Sequence, residues 1–137
     1  MNPYAEALEK HFEGFYHKPY ICPAGHWTIA WGHLCDKNHH PVTKDEGMVY
    51  LEGDNISATS AVIKLCPGIA IDEKKFGAII DFTFNLGSGR LKYSTLRRRI
   101  NERNWRAVQK ELTKWVYGGG RKLPGLVLRR DAESRLI

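Results

Sequence analysis

The sequence predicts a mainly helical α+β fold in two lobes, and three observations predict it. Apolar residues recur at three- and four-residue spacing over most of the chain, and residues 15–31 read as a hairpin. A helix of about twenty residues then separates that hairpin from everything after it. At 137 residues and 42% hydrophobic content, the chain is one domain's worth and can bury a real core. Within that single domain, residues 1–137, the pattern marks a hairpin lobe (13–42), a connecting helix (43–66) and a helical lobe (67–137).

Tyr4, Ala5, Leu8 and Phe12 share one helical face, and Gly14 stands where that helix stops, which puts Glu13 at its C-terminus. Two strands follow, Phe15 to Cys22 and His26 to Trp31, with Pro23-Ala24-Gly25 as the turn. Alternation sets Thr28 on the face opposite Trp27, Ile29 and Trp31, with Cys22 closing the preceding strand near it. Asp36 to Pro41 is a polar loop. Thr43 and Glu46 then form a capping box that opens a helix from Lys44 to about Leu65, ended by Pro67-Gly68. Gly47 and Gly53 weaken this helix by up to about 1 kcal/mol each, so packing has to hold it. Met48, Leu51, Ala58, Ala61, Val62 and Leu65 lie on one broad face and Val49, Ile56 and Ile63 on a second stripe. Asp54 falls inside the first face, where a carboxylate needs a partner such as an imidazole from the hairpin.

Asp72 caps a helix that runs to about Leu86 and ends at Gly87. Phe76, Ile79, Ile80, Phe82, Phe84 and Leu86 surround most of it and leave a narrow polar strip with Asp81 and Asn85, the pattern of a buried central helix. Ser94 caps a short helix carrying Leu96 and Ile100. Asn104 caps another, in which Trp105, Val108, Leu112, Trp115 and Val116 repeat at helical spacing. Gly118 to Gly120 reads as a flexible connection, and the last helix begins near Pro124 and carries Arg129 and Arg130.

Charge is uneven: residues 90–137 hold 14 Lys+Arg against 4 Asp+Glu, whereas residues 1–89 hold 7 against 11. The basic half implies an anionic partner, cell-wall polymer or nucleic acid. No zinc-finger spacing or ribonucleoprotein motif supports nucleic acid, and the aromatic residues fall on apolar helix faces, so no nucleic-acid partner is expected. Cys22, Cys35 and Cys66 form no disulfide framework. Cys22, His26, His33, Cys35, His39 and His40 lie close in sequence but lack the paired spacing of a zinc site, so no metal and no cofactor are expected. No apolar run approaches the ~20 residues of a membrane span, and the first fourteen residues show no apolar signal region. The expectation is a chain that starts in the cytoplasm and stays soluble as a monomer.

The chemistry-bearing residues cluster early. A carboxyl at a helix C-terminus meets a negative field that favours its protonated form, as a general acid requires, while a neighbouring arginine would favour the ionised form. On position alone, Glu13 reads as a solvated helix-end glutamate, and Cys22 as a small buried hydrophobe. Their spacing changes the reading. Glu13, eight residues, Cys22, five residues, Thr28, then Ile29-Ala30-Trp31-Gly32-His33, resembles the signature of phage-type lysozymes, the endolysins of glycoside hydrolase family 24. Phe84-Asn85-Leu86-Gly87 with Ser94-Thr95-Leu96 resembles that family's central signature. Gly125-Leu126-Val127 with Arg129, Arg130 and Glu133 resembles its last helix, so the three motifs cover nearly the whole chain.

The resemblance implies a lysozyme-like fold with the cleft between the lobes, and hydrolysis of the β-1,4 bond between N-acetylmuramic acid and N-acetylglucosamine in bacterial peptidoglycan. Glu13 matches the family's acid, and Thr28 its water-positioning threonine. Cys22 stands where many members carry aspartate; a thiol with pKa near ~8.5 is a weaker base than a carboxylate, so it orients the water with Thr28 or acts as a thiolate. His33 matches a histidine that pairs with an aspartate on the long helix, which predicts a structural His33–Asp54 ion pair; the alternative is His33 as general base. Asn85 is expected to meet sugar in the cleft or to bond its own backbone. One of Arg129 and Arg130 is expected to approach Glu13. Release from the host cytoplasm to the periplasm and wall by a holin is implied by the same resemblance, and some relatives carry an N-terminal membrane anchor instead. The competing readings are a lytic transglycosylase and a non-enzymatic nucleic-acid-binding module.

Overall fold

The computed structural model describes residues 1–137. Helix α1, Pro3–Glu13, is capped by Asn2, whose side-chain oxygen accepts from the amides of Tyr4 and Ala5 at 3.0 Å. The hairpin is a three-stranded antiparallel meander: β1 Tyr16–Ile21, β2 Trp27–Ala30 and β3 His33–Leu34, in that spatial order. The third strand was not expected. It forms because Ala30 (φ 56°) and Gly32 (φ 71°) turn the chain tightly enough for Ile29 to pair with His33.

Helix α2, Lys44–Leu65, opens on the expected capping box between Thr43 and Glu46 and joins the sheet to the helical part of the molecule. Gly47 is where α2 packs onto the sheet: a Cβ there would stand 2.8 Å from the Phe15 ring and 3.1 Å from the Ala30 methyl. Its missing side chain thus costs helix propensity but permits the contact. Leu51, Ala58, Val62 and Leu65 are buried as expected, whereas the stripe Val49, Ile56 and Ile63 faces solvent. Asp54 does not sit among apolar neighbours, because its side chain keeps 35% of its surface at the cleft edge. The buried polar residue of this helix is Asn55.

A 3-10 turn, Ile69–Ile71, leads into α3, Glu73–Leu86, whose residues 77–83 are all buried. Around it lie α4 Ser88–Lys92, α5 Thr95–Asn101, α6 Trp105–Leu112 and α7 Pro124–Ser134. Helix α4 was not expected, and α6 stops before Trp115 and Val116. Gly118 to Gly120 is no loose connection. Strands β4 Tyr117–Gly118 and β5 Arg121–Lys122 form a small hairpin turned by Gly119 and Gly120, both at positive φ.

The main core gathers fourteen buried residues from α1 to α6, among them Ala5, Val62, Ile79, Phe82, Leu96 and Leu112. A second, small core of Ile29, Ala30 and Val42, backed by Phe15, Cys35 and Tyr50, lies under the sheet. The polar strip of α3 is buried at Asp81, whose partner Arg129 comes from α7. No helix is long and apolar enough to cross a membrane.

Candidate active site

Glu13 is the last residue of α1, and Gly14 (φ 67°) turns the chain away towards β1. Its carboxyl keeps 18% of its side-chain surface and accepts a hydrogen bond from Arg129 Nη1 at 2.6 Å. Across the cleft edge it rests on the backbone of Gly32, where a Cβ would stand 2.7 Å from the carboxyl carbon and 2.8 Å from Oε1. Gly32 is thus required twice, by its positive φ and by this approach.

Arg129, not Arg130, is the arginine at Glu13. Its other two hydrogen-bonding nitrogens make a two-point pair with Asp81, Nε to Oδ2 at 2.9 Å and Nη2 to Oδ1 at 2.7 Å. Burial works against its charge, but the charges and hydrogen bonds of Asp81 and then Glu13 hold its guanidinium firmly protonated. Arg130 turns inward on the same helix and makes a two-point pair with Glu133 at 2.6 and 3.0 Å; its Nη2 also reaches Asn85 Oδ1 at 2.8 Å. Asn85 therefore spends its carbonyl oxygen on Arg130 rather than on its own backbone. Burial and the neighbouring Asp81 charge hold the Glu133 carboxyl well above the usual range.

One turn before Glu13, Glu9 is fully buried and accepts from Asn55 Nδ2 on both carboxylate oxygens. Burial first, then the Asp81 charge, push it up to about 8, against the hydrogen bond from Asn55 and the charge of Arg129. Sequence reasoning missed this group. The available signal was a carboxylate on the stripe Ala5-Glu9-Glu13, four residues apart, whose first member is core.

On the sheet side, cross-strand pairing sets Tyr20 opposite Thr28, and the Cys22 amide donates to the His26 carbonyl at 2.9 Å. Side chains two apart share a face, so Tyr20, Cys22 and Thr28 lie on one side of the sheet. Cys22 is half-buried; Thr28 is buried and donates its hydroxyl to the His26 carbonyl at 2.9 Å, leaving its lone pairs to accept. Neither is hydrogen-bonded to Glu13. Burial first, then the ionisable groups of Glu13, Tyr16 and Cys22, push the Tyr20 hydroxyl up to about 12, so it keeps its proton. Its ring stacks on Tyr16 at 3.8 Å.

His33 and Asp54 meet across the cleft, Nδ1 to Oδ2 at 2.7 Å, with the imidazole stacked on Tyr50 at 4.4 Å. Tyr50 in turn contacts His39 through its hydroxyl at 3.3 Å. The cleft itself, ≈ 290 Å³, runs from Gly32 and His33 past Asp54 and Ser57 to Phe84 and Ser88. It passes between the sheet, α2 and the end of α3; Glu13, Cys22 and Thr28 do not line it, and Glu13 meets it only through Gly32.

Residues 10–133 match the phage lysozyme family model. The chain is 32% identical over 135 residues to an endolysin of Acyrthosiphon pisum secondary endosymbiont phage 1, covering 95% of this chain and 92% of that one. It is 32% identical to a SAR-endolysin of Bacteriophage PS119, with 88% and 73% covered. Among solved structures, the muramidase domain of SpmX from Asticaccaulis excentricus superposes with a TM-score of 0.84 at 27% identity, covering 98% of this chain and 94% of that one. The active form of P1 phage endolysin Lyz gives the same TM-score, 0.84, at 24% identity and 99% and 83% coverage, a likeness of fold. With the carboxylate, its arginine and the cleft in place, these matches establish that the chain belongs to the phage lysozyme family and is a glycoside hydrolase of the lysozyme class.

Proposed function

We propose that this chain cleaves the β-1,4 bond between N-acetylmuramic acid and N-acetylglucosamine in peptidoglycan, with Glu13 as general acid and Cys22 and Thr28 positioning the attacking water. The observation that carries the reading is the placement of Glu13, whose carboxyl is held by Arg129 at 2.6 Å against the Gly32 edge of the cleft with part of its surface open. Protonation of a leaving oxygen needs one fixed carboxyl at the bond, and a second group that manages water on the opposite side of the sugar. Cys22 and Thr28 supply that second group from the sheet, Thr28 by the lone pairs its local hydrogen bond leaves free. In this reading the thiol orients the water rather than deprotonating it.

The exposed cations of the C-terminal half suit the anionic polymers of a bacterial wall. In this reading the enzyme acts as a monomer, without cofactor, on the wall of a lysing host that it reaches from the cytoplasm through a holin. The His33–Asp54 pair serves structure, tying the sheet to α2. Asn85, whose oxygen is held by Arg130, keeps its side-chain amide for a contact with sugar.

The decisive experiment is the loss of turbidity of outer-membrane-permeabilised Gram-negative walls, comparing wild type with Glu13→Gln, folding of both being checked by circular dichroism. Clearing by the wild type and none by the folded variant is the expected result. Equal clearing by both would remove Glu13 from the role of acid. An anhydro-sugar product in place of a reducing end would reassign the enzyme as a transglycosylase.

A further inference from the structure

Beneath Glu13 lies a charge cluster that neither the motif nor the proposed reaction uses. Four carboxyl groups, Glu9, Glu13, Asp81 and Glu133, converge on two guanidiniums, Arg129 and Arg130, and only Glu13 keeps more than a trace of exposure. Arg129 is divided within it. Two of its nitrogens bind Asp81 and one binds Glu13, so the carboxylate of α3 holds the guanidinium in a fixed plane and leaves a single N–H aimed at the acid.

An arginine beside a general acid poses a problem, because an undivided positive charge favours the ionised carboxylate and so disarms the acid. We propose that Asp81 is the positioning residue that resolves this problem: its two-point ion pair with Arg129 orients the guanidinium towards Glu13 while offsetting its charge. The proposal rests on the reading of Glu13 as the acid. Asp81 is fully buried and out of reach of a sugar in the cleft, so it acts only through Arg129. The other groups facing this pair are Glu9 on α1 and Glu133 and Arg130 on α7, while Tyr20 on β1 faces Glu13 itself. Glu9 and Glu133 are both pushed towards their neutral forms by burial, which leaves Asp81 as the counter-charge to Arg129 from below.

The test is the pH profile of wall clearing. In Asp81→Asn, Arg129 acts on Glu13 with an unshared charge, so the alkaline limb moves to lower pH by about one unit, a loss of about tenfold on the descending limb. In Asp81→Asn/Arg129→Gln both buried charges leave together, which a fold tolerates better than an orphaned one. Glu13 then loses its nearest cation, and the limb moves above that of wild type. A purely structural Asp81 would lower thermal stability and leave the limb in place. A folded single variant with an unmoved limb overturns the proposal. Should the single variant fail to fold, a folded double variant whose limb is unmoved or lowered overturns it as well. Glu13→Gln in the same assay separates the two failures, because walls cleared by that variant sink the acid assignment itself, whereas an inactive Glu13→Gln with an unmoved Asp81→Asn limb sinks only the role of Asp81.

Discussion

The two sides of the cleft are made of different materials. On the helical side, the carboxyl of Glu13 is the outermost member of a buried chain of charges that runs through Arg129 to Asp81, with Glu133 and Glu9 behind it. On the sheet side, Cys22 and Thr28 are held by neighbouring main-chain groups, the His26 carbonyl serving both. Charge acts over several ångströms and is worth more where water is excluded, so a change on the helical side is felt at Glu13 without touching it. Hydrogen bonds and close contacts on the sheet side act only where they are made. In the proposed reading, the first side acts on the site through charge and the second through shape.

The largest expected effect that sharpens this contrast is at Glu9. The folded chain holds the Glu9 proton up to about pH 8, whereas the ordinary value, appropriate to the unfolded chain, is 4.5. The folded state therefore binds more protons than the unfolded state between those values, and stability falls as pH rises through that window. Glu9→Gln keeps a neutral partner for Asn55 and removes the titration. It is expected to be more stable than wild type by roughly 2–4 kcal/mol at pH 9 and close to it below pH 4.5. Urea unfolding of both proteins across pH measures the difference. A constant difference at every pH would show that Glu9 does not titrate in the fold and that the helical side is less strongly coupled than its geometry implies.

On the sheet side the matching test is steric. Gly32→Ala puts a methyl 2.7 Å from the Glu13 carboxyl carbon and asks alanine to adopt φ +71°. The backbone cost is about 1–2 kcal/mol, visible as a lowered Tm. The catalytic cost is greater than the loss of stability suggests, on the order of a hundredfold in clearing rate, because the acid is displaced by about an ångström. No shift of the pH profile accompanies it if the sheet side sets shape alone. A shift comparable to that of Asp81→Asn would break the distinction between the two sides.

The parts of this molecule that were legible in the sequence are those governed by local rules. Thr43, Asp72, Ser94 and Asn104 cap helices as their positions suggest. The charge cluster was not legible, because a buried carboxylate looks like a solvated one until its partner is known, and the partner of Asp81 is 48 residues away. Arg129 and Arg130 are adjacent in sequence, and only packing against α3 decides that one reaches Glu13 while the other reaches Asn85. The hairpins β2–β3 and β4–β5 were missed for a related reason. Their turns depend on glycines at positive φ, which a sequence presents simply as flexible residues.

The smallest expected effect concerns the link between the two sides. His33 on β3 meets Asp54 on α2 at 2.7 Å, and both side chains keep about a third of their surface in water, 29% and 35%. A pair so placed contributes about 1 kcal/mol, far less than a buried one, because water competes for both partners. The stacking of His33 on Tyr50 supports the imidazole from its other face and survives removal of the charge only if a planar ring remains. His33→Asn is therefore expected to lower stability by about 1 kcal/mol in urea unfolding while most of the wall-clearing activity persists, since neither residue contacts Glu13. Unchanged thermal stability with turnover abolished would be the opposite result. It would move the imidazole from the frame of the cleft into its chemistry, and would make the sheet side a contributor of protons as well as of shape.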